Sequence, residues 1–352
     1  MKTKLIGLIV VLGVIGAVIG FTLFGKANQV TELNGYVGGE KIGFLEDEEI
    51  QEELKKNYHL SLDYSKAGSL DMVTADKEGR DFLWPSSQTA LEYYKATVGK
   101  PVKSEIIFNT PIVIYTRQPV AQALQKQGIA SETDGVWTVD LAKLIKLITD
   151  RTSWSDIGLS ELYGNVTVYS TDPAKSNSGN MFAGLIANTL VGGVANESNV
   201  DDQLPVIKQI FDQSGYMESS SADIFNEFLK MGMGSKPMVV GYESQLLEFT
   251  AENPDVWTQI KDDVVMMYPT PTVWSSHVWI ALDDNAAGAV DALTDKHIQD
   301  LAWQKHGFRT GVSGSYVSQD TFKDVGVAKS VTQVGQMPNY KTMEKIIEAV
   351  SS

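Results

Sequence analysis

The chain has 352 residues, 43% of them hydrophobic, a formal net charge of −15 and no cysteine. That length is enough for two lobes with their own cores, and the acidity argues against nucleic acid or an anionic membrane surface as the main partner. The lack of cysteine excludes disulfides, thiol catalysis, thiolate zinc sites and a lipidated N-terminal cysteine, and it fits an exported bacterial protein.

Met1-Lys2-Thr3-Lys4 precedes an uncharged apolar run, Leu5 to Phe24, closed by Gly25-Lys26. About 20 such residues match a bilayer-spanning helix, so residues 1–27 read as an uncleaved membrane anchor; a cleaved signal segment ending near Ala27 is the alternative. Either way the bulk of the chain is expected on the extracytoplasmic face of the cell membrane.

The next stretch repeats one motif three times. A weak strand from Leu33 ends at Gly38-Gly39-Glu40-Lys41, and an acid-led helix follows over Phe44 to Leu54. Leu60 to Tyr64 alternates as a strand and stops at Ala67-Gly68-Ser69, before a helix start at Leu70 to Val73. Asp81 to Trp84 ends in Pro85-Ser86-Ser87, with a helix over Ala90 to Tyr94. Three strand-to-helix junctions in a row predict βαβ units and a mainly parallel sheet, whose polar loops share one edge.

Glu105 to Arg117 is extended and apolar, with Thr110-Pro111 inside it, and Val264 to Leu282 is a second such segment. Between them lie amphipathic helix patterns at Leu141 to Ile148, Pro205 to Gln213 and Ala222 to Met231, and a buried strand over Lys236 to Ser244. Two long extended segments around a central α/β block are what a chain needs to cross into a second lobe and return. Helix patterns follow at Ala286 to Leu293, His297 to Lys305 and Tyr340 to Val350.

The most informative stretch is Val166 to Leu190. A strand-like run, Val166 to Ser170, breaks at Thr171-Asp172-Pro173; Ser176-Asn177-Ser178-Gly179 then meets a helical apolar face at Phe182, Leu185, Ile186 and Leu190. Ser and Asn favour the N-cap, and a helix start offers free N–H groups and positive dipole to an anionic or oxygen-rich group. A capped helix with no ligand is the plainer reading of the same residues.

Enzyme chemistry finds little support. The four histidines, His59, His277, His297 and His306, form no zinc-ligand spacing and read as surface or capping residues. There is no GxSxG, SxxK, P-loop or GxGxxG. Met231, Met233, Met266 and Met267 read as core packing. No catalytic residue, metal site or cofactor is expected.

With TDPAKSNSGN, GYES, YPTPTVWSSHVWIAL and Gly307-Phe308-Arg309 in place, residues 31 to 312 resemble the type II periplasmic binding proteins, the extracytoplasmic solute receptors of ABC transporters. The pattern is most similar to oxyanion-binding branches and to a membrane-anchored group associated with toxic-anion resistance. The resemblance implies an α/β, two-lobed fold with two β crossovers behind one N-terminal transmembrane helix: lobe 1 over 28–113 and 268–352, lobe 2 over 114–267. It implies a cleft that closes on a small polar, anionic solute for an ABC-type importer, or, with a degenerate cleft, a membrane-anchored partner of other envelope proteins. The cleft residues it implies are Glu40, Lys41, Gly68, Ser69, Ser86, Ser87, Ser176, Asn177, Ser178, Tyr242 and Glu243. The chain departs from the family in lacking the lipidated cysteine and an arginine inside the main polar loop.

Overall fold

The computed structural model describes residues 29–312 and 318–351. The expected anchor at Leu5 to Phe24 lies outside them. Among the described residues no helix is long and apolar enough to cross a membrane.

Strand β1 (Thr31–Val37) buries Leu33, Gly35 and Val37. A 3-10 turn, Gly39–Lys41, leads into helix α1 (Ile42–Glu46). The expected Phe44 to Leu54 helix is divided at Asp47, whose carboxylate accepts from Glu49 N and Ile50 N and starts α2 (Glu48–Tyr58). Then come β2 (Leu60–Lys66), α3 (Asp71–Thr74), β3 (Phe82–Trp84) and α4 (Gln88–Thr97), the last capped by Ser87.

Strand β4 (Lys103–Arg117) runs straight through Pro111. It pairs with the last long strand as far as Pro111, and from Ile112 onward with two others. The second half holds α5 (Gln118–Lys126), β5 (Ala130–Thr133), β6 (Val136–Asp140), α6 (Leu141–Thr149), α7 (Asn177–Val191), α8 (Leu204–Asp212), α9 (Ser221–Met231), β7 (Met238–Tyr242), α10 (Glu243–Glu252) and α11 (Pro254–Ile260). The β5–β6 hairpin had a legible signal in Asp134-Gly135, both at positive φ, that the pattern reading passed over. Strands β8 (Val264–Thr270) and β9 (Thr272–Ala281), separated by Pro271, carry the chain back. Helices α12 (Asp284–Leu293) and α13 (Lys296–His306), strands β10 (Arg309–Thr310) and β11 (Val334–Gly335), and helix α14 (Tyr340–Ser351) complete it.

The strand order is β2-β1-β3-β9-β4-β8-β6-β5. Parallel pairing is confined to β2-β1-β3, β6–β8 and β11–β9, so the expected mainly parallel sheet is a mixed one. The physical cause is the double crossing: outgoing β4 and returning β8 and β9 run in opposite directions and pair antiparallel. Each half has its own core. Phe44, Phe82, Trp84, Phe108 and Trp279 pack in the first, and Phe182, Ile186, Phe211 and Trp137 in the second. Fully burying side chains of this kind contributes roughly 1.5–3 kcal/mol apiece.

Three expectations need correction. Val166 to Ser170 forms no strand; it makes a single bridge, Tyr169 to Val239, because only Tyr169 exchanges backbone hydrogen bonds with β7. Helix α14, grouped by the resemblance with lobe 1, puts Met343, Ile346 and Val350 into the second half's core beside α7 and α8. Its apolar stripe packs there, while Tyr340 in its first turn meets Tyr93 on α4 of the first half. Met231, read as core, is 61% exposed.

Candidate functional site

The C-terminal ends of β1, β2 and β3 point their loops at one edge, as parallel strands must. A cleft of about 620 Å3 opens there. The first half supplies Gly38, Gly39, Glu40, Gly68 and Ser69; the second supplies Ser176, Asn177, Ser219 to Ser221, and the α10 face of Gln245, Glu248 and Glu252. Glycine at 179, in the first turn of α7, is required by close approach, since a Cβ there would collide with the Thr171 backbone carbonyl.

Two helices begin at this cleft, α7 after Ser176 and α9 after Ser220. Both serines have extended backbones, φ −128° and −138°, as N-caps do, yet neither hydroxyl makes the capping bond. By contrast Ser87, Asp140 and Asp283 cap their helices in the ordinary way. Ser176 Oγ instead shares a hydrogen bond with Ser178 Oγ at 3.2 Å. The first-turn N–H groups of α7 and α9 thus have no cap from these side chains, and each helix directs its positive end to the cleft.

Asn177 joins the two halves. Its Nδ2 donates to Ser86 O at 3.0 Å in the first half and to Tyr242 Oη at 3.0 Å in the second. Ser275 Oγ also donates to Ser86 O, at 2.8 Å.

Behind Glu40 lies a buried polar group of four. Lys41 is 0% exposed, and its Nζ donates to Glu40 Oε1 at 2.5 Å and Ser86 Oγ at 2.7 Å, and stands 3.2 Å from His277 Nδ1. Burial pushes the Glu40 carboxyl up, but the charge of the adjoining Lys41 ammonium, with hydrogen bonds from Lys41 and Ser86, outweighs it and holds the group at about 2. Burial, reinforced by Lys41, pushes the His277 imidazole well below its usual value, so it is neutral and accepts from the lysine. His277 and His306 are 0% and 3% exposed, against the expectation of surface or capping histidines. Both are enclosed by packing from distant parts of the chain.

A second buried group surrounds Glu243, which is 0% exposed. Arg309 Nε and Nη2 donate to its two oxygens at 2.6 and 2.8 Å, and Tyr268 Oη donates to Oε2 at 2.5 Å. The Arg309 guanidinium lies over the Trp274 and Trp303 rings, at 5.9 and 5.6 Å from their centroids.

Of the sequence-derived candidates, Glu40, Gly68, Ser69, Ser176 and Asn177 line the cleft. Lys41, Ser86, Ser87, Ser178, Tyr242 and Glu243 are buried behind it, each with an internal partner or, for Ser87, a capping role. Burial also drives the Tyr242 phenol far up, so it stays neutral. Ser219 to Ser221 and the α10 face were not foreseen. The serines repeat the polar-then-helical pattern seen at Ser176 and were findable from it, whereas Glu248 and Glu252 carry no local signal. Among the described residues no group of three or more His, Asp or Glu side chains is placed to hold a metal ion.

Neither a protein-family model nor a curated protein matches the chain. Solved structures do. The periplasmic binding protein AfuA from Actinobacillus pleuropneumoniae, with fructose-6-phosphate bound, superposes with a TM-score of 0.59 at 14% identity, covering 90% of this chain and 96% of that one. The apo ferric ion-binding protein A of Pasteurella haemolytica gives 0.58 at 14% identity, with 91% and 95% covered. The substrate-binding protein of an ABC transporter from Agrobacterium tumefaciens gives 0.58 at 12% identity, with 91% and 94% covered. This chain has the fold of the periplasmic solute-binding proteins. At these identities the likeness is one of fold, and these neighbours are binding proteins rather than enzymes.

Proposed function

We propose that the protein is an extracytoplasmic solute-binding protein, anchored through residues 1–27, that closes its two halves on a small polar solute for an ABC-type importer. The observation that carries this is the cleft between the halves, with the uncapped starts of α7 and α9 opening into it. A bound anionic or oxygen-rich group would supply the acceptors those N–H groups lack. Glu40, Gly68, Ser69, Ser176 and Asn177, joined by Ser220, form the proposed contact set. Among the described residues the one lysine–serine hydrogen bond, Lys41 with Ser86, is fully buried.

A thermal-shift screen of the full chain in detergent, against oxyanions, sugars, amino acids and metal ions, tests the reading. A solute that binds only the native state raises the melting temperature in proportion to the logarithm of its concentration. A folded protein that responds to none of these classes would point instead to a membrane-tethered interaction protein with a degenerate cleft.

A further inference from the structure

The lining of the proposed receptor site combines two kinds of chemistry. The starts of α7 and α9 open into it with the Ser176 and Ser220 hydroxyls. Glu248 and Glu252, one turn apart on α10, line a wall of the same cleft. Across the whole lining, four carboxylates (Glu40, Asp71, Glu248 and Glu252) face two ammonium groups, Lys66 and Lys175. Several of these are already engaged: Glu40 with Lys41, Lys175 with Asp172 at 3.0 Å, and Glu248 with His306 Nδ1 at 2.7 Å. Among the described residues Glu252 has no ion-pair partner. Partial burial first, and then the neighbouring Glu248, raise its carboxyl, and His306 offsets this in part.

A solute bearing only negative charge would meet this acidic wall and Asp71, and a simple cation would meet two helix N-termini. We infer that the solute is zwitterionic, with an anionic group on the starts of α7 and α9 and an amine-type cation against Glu252 and Glu248. This rests on the receptor reading above and adds the charge pattern of the ligand to it. Charged hydrogen bonds to both groups also supply selectivity, because an analogue lacking one charge leaves its partners on the lining unpaired.

The test is isothermal titration of the full chain in detergent with matched probes. These are glycine, 4-aminobutyrate, 6-aminohexanoate and taurine as zwitterions, butyrate, hexanoate and ethanesulfonate as anions, and butylamine and hexylamine as cations, with phosphate and glucose added. At least one zwitterion is expected to bind about tenfold more tightly than its single-charge counterparts, and Glu252→Gln is expected to remove about tenfold of that while leaving anion binding within about twofold. Glu252 is exposed, and an unchanged melting temperature of the variant without solute confirms that its fold is intact. Equal or tighter binding of a matched anion, or an unaffected zwitterion affinity in Glu252→Gln, overturns the inference. Binding of phosphate or glucose alone overturns it too but leaves the receptor reading standing; no binding by any probe counts against both.

Discussion

Arg309 holds Glu243 through two parallel hydrogen bonds, at 2.6 and 2.8 Å, and so fastens the start of α10, in the second half, to β10, which pairs with β4 in the first. Both side chains are nearly excluded from solvent, at 9% and 0% exposure. A pair of this kind gives geometry more than net stability, because desolvation cancels much of its attraction.

Breaking one partner should therefore be costly and replacing both much less so. Glu243→Ala is expected to destabilise by about 3–5 kcal/mol by leaving Arg309 buried without its counter-charge, and Glu243→Leu with Arg309→Met to recover most of that. Urea denaturation reads both. A single variant within about 0.5 kcal/mol of the parent, the scatter of surface substitutions, would contradict the account.

The Glu40–Lys41 pair predicts an acid limb in stability. The Glu40 carboxyl sits at about 2 in the fold against an ordinary 4.5, a depressed value. Its stabilising contribution is complete above about pH 4.5 and disappears as pH falls through about 2, on the order of 3 kcal/mol. Burial penalises the Lys41 ammonium at the same time, so the pair's net worth at neutral pH is smaller than this acid loss. Melting temperatures from pH 5 to pH 2 should fall more steeply for the parent than for Glu40→Gln with Lys41→Met. Parallel slopes would remove the pair from the explanation.

Asn177 predicts a coupled effect on shape and binding. Asn177→Ala deletes the hydrogen bond to Ser86 O across the cleft, at a cost of about 1 kcal/mol. Small-angle scattering should report a larger radius of gyration without solute, and solute affinity should drop. Unchanged scattering with unchanged affinity would show that this bond does not hold the halves together.

Gly307 follows α13 at φ 65° and turns the chain toward Phe308 and Arg309. A Cβ there would collide with Leu247 Cβ. Gly307→Ala is expected to cost about 1–3 kcal/mol through strain and overlap together, measured by thermal melting.

Much of the architecture was legible one segment at a time. The helix start at Ser176, the Gly- and Ser-marked junctions after β1, β2 and β3, and the extended runs that became β4 and β8–β9 all depend on residues within a few positions of one another. Alternation and turn chemistry are local forces and acted where the pattern placed them, and α7 begins at Ser176 although the serine hydroxyl makes no capping bond. Glu40, Gly68, Ser69, Ser176 and Asn177 were found at the cleft for that reason.

The rest depended on which distant segments pack together. Lys41 and Ser86 look like loop residues available to a solute until His277, 236 positions from Lys41, closes over them. Glu243 looks like a strand-end ligand until Arg309 arrives from 66 residues away. The acidic face of α10 becomes a cleft wall only because the chain crosses twice between the halves. The sequence by itself determined where helices and turns begin, since those preferences are settled within a turn of chain. Only the tertiary structure decided which polar groups meet solvent and which meet each other, because burial is a property of the assembled surface.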